Sequence, residues 1–344
     1  MTVGDSRLWR RLLLGLALLA LGLAGDPARP VRAQGQQPPL PSGPVAQPAM
    51  APAQPAASQS VLFDQMDAAG SDWVSSQDFS GDQNDAKAAD DFFVDPGFNS
   101  WQISAVQVAG AYFAGGVAAV DGVNVEFYLD SGGLPGYLLT ARVAQPISGT
   151  GSTGAFFLPL TPTVNIASNA NYWISVQAIK PSAGQWTWTE STALHGNGAV
   201  WQNPGDGFTT GCVSWSLMTT CLPGTGPDLL FRLYGTKSAS QVAPILVSLD
   251  PNHAANRPFT LTAVGAGFAN GAVLDWTLGA TQHFSTTVSS SARLTSPISA
   301  AAVASYGAAV TVTVTNPGPC GGSCTSNALI FTVKNLMFLP VVRR

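Results

Sequence analysis

Two glutamates occur in the 344 residues, Glu126 and Glu190, and a facing pair of carboxylates is the most demanding chemistry this composition could support. On a β-sandwich such a pair can protonate a glycosidic oxygen and activate water or attack the sugar, with the separation setting the stereochemical outcome. Alternation puts Glu126 on a strand face with Asn124 and Tyr128, and Glu190 with Trp186 and Trp188. No Glu-x-Asp-x-x-Glu run accompanies them, and outward-facing glutamates are the ordinary outcome on strands. The chain also lacks a Gly-x-Ser-x-Gly elbow, a His-Glu-x-x-His helix, a Ser-x-x-Lys pair and a phosphate-binding glycine loop. His195 lies in Leu-His-Gly-Asn-Gly and reads as a turn residue, while His253 and His283 fall in the last third of the chain. No catalytic residue is expected.

Tryptophan carries more information. Trp173, Trp186, Trp188, Trp201 and Trp215 are candidates for an exposed face, with Tyr128 or Tyr172 nearby. Flat aromatic faces suit the C–H faces of sugar rings, whose hydroxyls seek polar neighbours such as Gln177, Asn203 and Glu190. The competing fate is the core, because a tryptophan buries a large apolar area. The expected ligand-binding set is Trp173, Trp186, Trp188, Glu190, Trp201 and Asn203. A run of aspartates offers calcium chemistry: Asp78, Asp82, Asn84 and Asp85 place oxygen ligands within eight residues, with Asp90 or Asp91 next in line. The spacing departs from the Asp-x-Asp-x-Asp-Gly loop, and a solvated acidic loop with Asp90 or Asp91 capping a turn accounts for it as well. No other cofactor is expected. The four cysteines are even in number and locally spaced, which predicts disulfides Cys212–Cys221 and Cys320–Cys324.

The elements that must position these groups are strands. Residues 171–190 alternate Tyr172, Ile174, Val176 and Ala178 with Trp173, Ser175 and Gln177, then turn through Lys180 to Gly184 into Trp186, Trp188 and Glu190. This predicts an antiparallel hairpin bearing three tryptophans. Further short strands are expected at 91–94, 103–112, 123–129, 138–143, 155–160 and 229–234, opened by one at 61–63, with Gly/Pro turns between them. That rhythm, with no helical period of useful length, predicts a sandwich. The length of residues 61–236 favours a jelly roll over a single immunoglobulin unit.

The order of phrases AADDFFV (88–94), VNVEFYLDSGGLPG (123–136), YWISVQA (172–178), QWTWTE (185–190), AVWQNPGDGF (199–208) and PDLLFRLYGT (227–236) resembles a jelly-roll module of secreted bacterial proteins. The resemblance implies a fold and a location without an attached activity, and it implies that 89–94 lies near 229–234, since first and last strands of such modules pair. After a polar joint at 237–243, residues 244–334 resemble an IPT/TIG immunoglobulin-like domain. The matching phrases are PILVSLDP (244–251), Gly265-x-Gly267-Phe268 and VTVTVTNPGP (310–319), with Asn252 to Arg257 departing from the usual glycine-rich turn. The expected fold is therefore all-β, a jelly-roll-like β-sandwich followed by a smaller immunoglobulin-like β-sandwich.

The first residues predict export. Arg7, Arg10 and Arg11 precede an apolar run from Leu12 to Gly25, too short to span a membrane comfortably, and Val31-Arg32-Ala33 supplies a cleavage site. Residues 1–33 read as a signal peptide. Residues 34–60, with seven prolines and no aromatics, read as a flexible spacer. The final ten, NLMFLPVVRR, read either as an edge strand or as a C-terminal sorting tail. Fifteen basic residues, scattered apart from the two ends, against 19 acidic ones give no electrostatic footprint for nucleic acid. The expectation is a secreted or cell-surface, non-catalytic binding protein for a polysaccharide or cell-envelope component. The alternatives are a structural or adhesive envelope component with protein partners, and a glycoside hydrolase using Glu126 and Glu190.

Overall fold

A computed structural model describes residues 59–334 apart from 80, 82, 114–119, 148–153, 181–183, 256 and 305–306. The expected signal peptide, the expected spacer up to residue 58 and the final ten residues lie outside the described residues. What is described is nearly all strand, in five sheets around two main hydrophobic cores.

The first core is held between a long sheet and a four-stranded one. In the long sheet the order is Ser216–Leu217, Val200–Gln202, Lys87–Val94, Ala170–Ile179, Gly122–Asp130 and Pro135–Gln145, with Gln77–Asp78 added parallel to the end of Ala170–Ile179. The four-stranded sheet runs Ser60–Gln65, Phe231–Ser238, Ser100–Val108, Phe156–Ala167. Alternation decides which side chains meet: Phe92, Phe127, Tyr172, Ile174 and Val176 from the long sheet pack onto Trp101, Val106, Leu158 and Phe231. Phe92 stacks on Trp101 at 6.4 Å and meets Phe231 edge-on at the same distance. A third sheet closes one end, with Gln185–Ser191 paired to Asp228–Leu229, Ala69–Ser75 and Gly110–Phe113.

This third sheet corrects two expectations. Ala170–Ile179 and Gln185–Ser191 are not hairpin partners but belong to different sheets. The chain crosses over after Ile179, and the Gln77 carboxamide ties the crossing by accepting from the Trp186 N–H at 2.6 Å and donating to the Lys180 carbonyl. The closing strand Phe231–Ser238 takes Ser60–Gln65 and Ser100–Val108 as ladder partners rather than Lys87–Val94. Lys87–Val94 meets the closing segment through a side chain instead, since Asp90 Oδ2 accepts the Leu229 N–H at 2.7 Å.

The second core lies between the sheet Ile245–Asp250, Phe259–Ala266, Arg293–Ile298, Thr287–Ser290 and the sheet His253–Ala255, Leu329–Lys334, Ala309–Thr315, Val273–Leu278, Ala280–Ser285. Its clearest strand is Ala309–Thr315, where Val310, Val312 and Val314 point in and the threonines between them point out. Trp276 anchors this core, fully buried, 4.9 Å from the Phe331 ring and donating its indole N–H to the Ala302 carbonyl. Asn252 to Arg257, which departs from the immunoglobulin-like pattern, supplies the parallel strand His253–Ala255. Both expected disulfides form.

Candidate functional site

The expectation of an exposed tryptophan face does not hold. Trp173, Trp186, Trp188 and Trp201 are fully buried, and Glu190 and Asn203 are buried with them. Each indole nitrogen has an internal acceptor: Gly154 O for Trp186, Leu230 O for Trp188, Ser75 O for Trp201 and Asp130 Oδ1 for Trp173, all at 2.8–2.9 Å. For Trp186 and Trp188 the physical reason is the third sheet. Gln185–Ser191 is covered on both faces, so its alternation separates two interiors rather than core from solvent. Asn203 folds the loop after Val200–Gln202, donating to the Gln83 and Asp85 carbonyls and accepting the Phe208 N–H. Glu190 accepts the Gly226 N–H across the third sheet. Glu126 stands in the long sheet, so the two glutamates occupy different sheets.

Buried carboxylates gather where the third sheet meets the long one. Asp90 accepts from Gln65 Nε2 at 2.7 Å, from the Leu229 N–H and from the Asp91 N–H. Asp91 receives both the backbone N–H and the side-chain amide of Asn197, at 3.0 and 2.8 Å. Asp228 accepts the His195 N–H, and the His195 ring lies 3.6 Å from Asp228 and 3.4 Å from Asp67. Burial pushes the Asp90 carboxyl well above its usual range, reinforced by the charge of Asp228. It pushes Asp91 up, and Asp228 up to about 6. Gly196 lies over this group with φ +76°, and a Cβ there would stand 2.7 Å from Asp91 Oδ1, so only glycine fits. These acids fasten three segments together by hydrogen bonds to backbone donors, which is the work of a structural clasp.

The outer face of the long sheet has a different character. Its register sets Trp173 between Asp91 and Tyr128, Ser175 between Ala89 and Glu126, and Gln177 beside Asn124. Lys87 Nζ donates to both Glu126 oxygens at 2.9 and 2.8 Å, and the Tyr128 hydroxyl donates to Glu126 Oε2 at 2.5 Å. Burial, reinforced by that carboxylate, raises the Tyr128 phenol well above its usual value, so it stays a donor. The Cys212–Cys221 loop carries Trp215 across this face, edge-on to Tyr128 at 5.9 Å. Trp215 and Leu134 cover the small cluster of Ala89, Tyr128, Trp173 and Val200. Trp215 is half-buried, with exposed Leu217 two residues on, and it is the one of the five candidate tryptophans that reaches the surface. The same outer face carries an ammonium, a carboxylate and two amides, from Lys87, Glu126, Asn124 and Gln177, groups that hydrogen-bond hydroxyls.

The calcium set is only partly described. Asp82 lies outside the described residues, and Asp85 Oδ1 accepts the Phe79 N–H at 2.6 Å. Among the described residues no group of three or more His, Cys, Asp or Glu stands at metal-holding distances. Sequence reasoning missed Gln65, Lys87, Asn197 and Asp228. For the acids a signal existed: Asp90 and Asp91 interrupt AADDFFV and Asp228 interrupts PDLLFRL, and a charge inside an apolar strand run is a buried group needing partners. No protein-family model matches the chain, and no curated protein is significantly similar to it. No helix among the described residues is long and apolar enough to cross a membrane.

Proposed function

We propose that this protein is a secreted or cell-surface carbohydrate-binding protein that does no chemistry on its ligand, and that it binds through the outer face of the long sheet. The observation that carries this reading is Trp215, half-exposed on a disulfide-closed loop and set edge-on to Tyr128 beside the polar row of Lys87, Glu126 and Asn124. A sugar ring resting there would find an apolar surface and hydroxyl partners together. The sequence resemblance to a secreted jelly-roll module and an IPT/TIG domain, and the signal-like first 33 residues, support the location. The non-catalytic part is supported by the state of the acids. Both Glu126 oxygens already receive donors from Lys87 and Tyr128, which occupies the lone pairs a base or nucleophile would use.

The test is retention of the purified protein on insoluble polysaccharides and bacterial cell walls, with reducing ends assayed in the supernatant. Retention without sugar release, lost in Trp215→Ala and kept in Glu126→Gln, is the expected result. Release of reducing ends that Glu126→Gln abolishes would make the protein a hydrolase. No retention on any polymer would leave protein partners as the better account.

A further inference from the structure

A cleft stands at the joint after the first sandwich. Between the two cores, on one side of the joint through Gln241 and Val242, it opens to about 430 Å³ between the loop at 167–169 and the turns at 267–270 and 289–291. That volume falls within the range of small-molecule sites, and such sites favour junctions between packed units. The polar lining is uncharged: Asn99, Asn169, Gln241, Asn270, Ser290 and Ser291, with no acid, base or histidine among the residues that form the cleft. Phe268 lines it too, with its side chain buried in the second core.

Several of these groups are fixed from behind. Ser291 Oγ donates to the Asn169 carbonyl at 2.9 Å, bridging the two walls, and the Phe268 N–H donates to the Ser291 carbonyl. Asn99 donates to the Ala239 carbonyl at 2.6 Å, which leaves its side-chain oxygen as an acceptor. Asn169 holds a left-handed backbone, φ 59°, a conformation asparagine tolerates better than most residues. Gln241 lines the cleft, and its Oε1 is buried without a hydrogen-bond partner, so a turn of its amide would present that acceptor to a ligand donor. Amides and hydroxyls offer donors and acceptors in mixed array but no charge to pair with an ionic ligand. Anionic and cationic ligands would lose hydration there without compensation. A neutral molecule dense in hydroxyls loses little on entry and regains each hydrogen bond.

From this lining we infer that the cleft binds a neutral saccharide of one or two rings, with Gln241 and Asn99 offering acceptors to its hydroxyls. The test is isothermal titration of the full-length protein with N-acetylglucosamine, cellobiose and maltose, using galacturonate as the charged control. At least one neutral sugar should bind and galacturonate should not. Asn270→Trp, which fills the mouth from an exposed position, and Gln241→Leu, which removes the acceptor, should each weaken that binding tenfold or more. Thermal unfolding of each variant checks that it is folded. Trp215→Ala should leave this binding unchanged, so loss of polymer retention there and loss of sugar binding here are separable failures. No binding of any of the three sugars, undiminished binding in Asn270→Trp, or loss in Trp215→Ala alone would overturn the assignment.

Discussion

Asp90 and Asp228 show what a buried carboxylate does in this molecule. Asp90 is the acceptor for Gln65, Asp91 and Leu229, so Asp90→Ala would strand three donors in the interior and should cost about 3 kcal/mol or more, measured by urea unfolding. The pH dependence follows from the direction of the shifts. Burial raises Asp228 from 3.8 to about 6, so the folded chain holds this proton more tightly than the unfolded chain. The unfolded state binds fewer protons between those values, and stability therefore falls as pH rises from about 4 to about 6 and levels off above. Asp90, raised by the same cause, adds to the slope. The expected outcome is a urea midpoint lower at pH 7.5 than at pH 4.5, with a smaller drop in Asp228→Asn, whose neutral side chain can still accept the His195 N–H. An unchanged drop in that variant would mean another group sets the slope.

At the scale of elements, the Cys212–Cys221 loop joins stability to binding. It closes a nine-residue separation, so its loss should cost no more than the ~3 kcal/mol of a 15-residue loop. The double variant Cys212→Ser/Cys221→Ser should therefore remain folded with a lowered melting temperature, yet lose retention on polysaccharide because Trp215 is no longer held over Tyr128. A melting change with full retention would separate Trp215 from the site. The same element shows how far the sequence could be read. Local spacing was enough for both disulfides, and period-two alternation was enough for strands such as Ala170–Ile179 and Gly122–Asp130. Alternation could not say which sheet a strand joins. Trp186 and Trp188 looked like a surface pattern because a strand covered on both faces keeps period two when one face holds Thr187 and Thr189. Trp173 does lie on the polar side of its sheet, but its burial is decided by Trp215 and Leu134, which are distant in sequence. Ladder partners and covering loops are long-range facts, and no local pattern encodes them.

The whole molecule turns on the joint between its two cores. Ala266 belongs by sequence to the second sandwich, at the end of Phe259–Ala266, yet it is buried within the first core cluster with Val247 packed beside it. The joint itself is tied on both sides. Asn316 donates to the Gly267 carbonyl at 2.7 Å, the Gln241 N–H donates to Pro319 O, and Ser100 Oγ donates to Ser240 O at 2.7 Å. A Cβ on Gly267 would approach Ala167 Cβ to 3.3 Å at a φ of +72°, so the close contact there depends on glycine. A junction that shares buried apolar surface and backbone hydrogen bonds should couple the two cores in unfolding. Calorimetry is expected to show one cooperative transition, and Ala266→Asp, which places a carboxylate without a partner in that shared surface, should split it into two or lower it by several degrees. Two resolved transitions in the unaltered protein would mean the joint is a tether. A tether would not hold Asn169 and Ser291 in register, and the uncharged cleft between them would then be too loose to select a sugar.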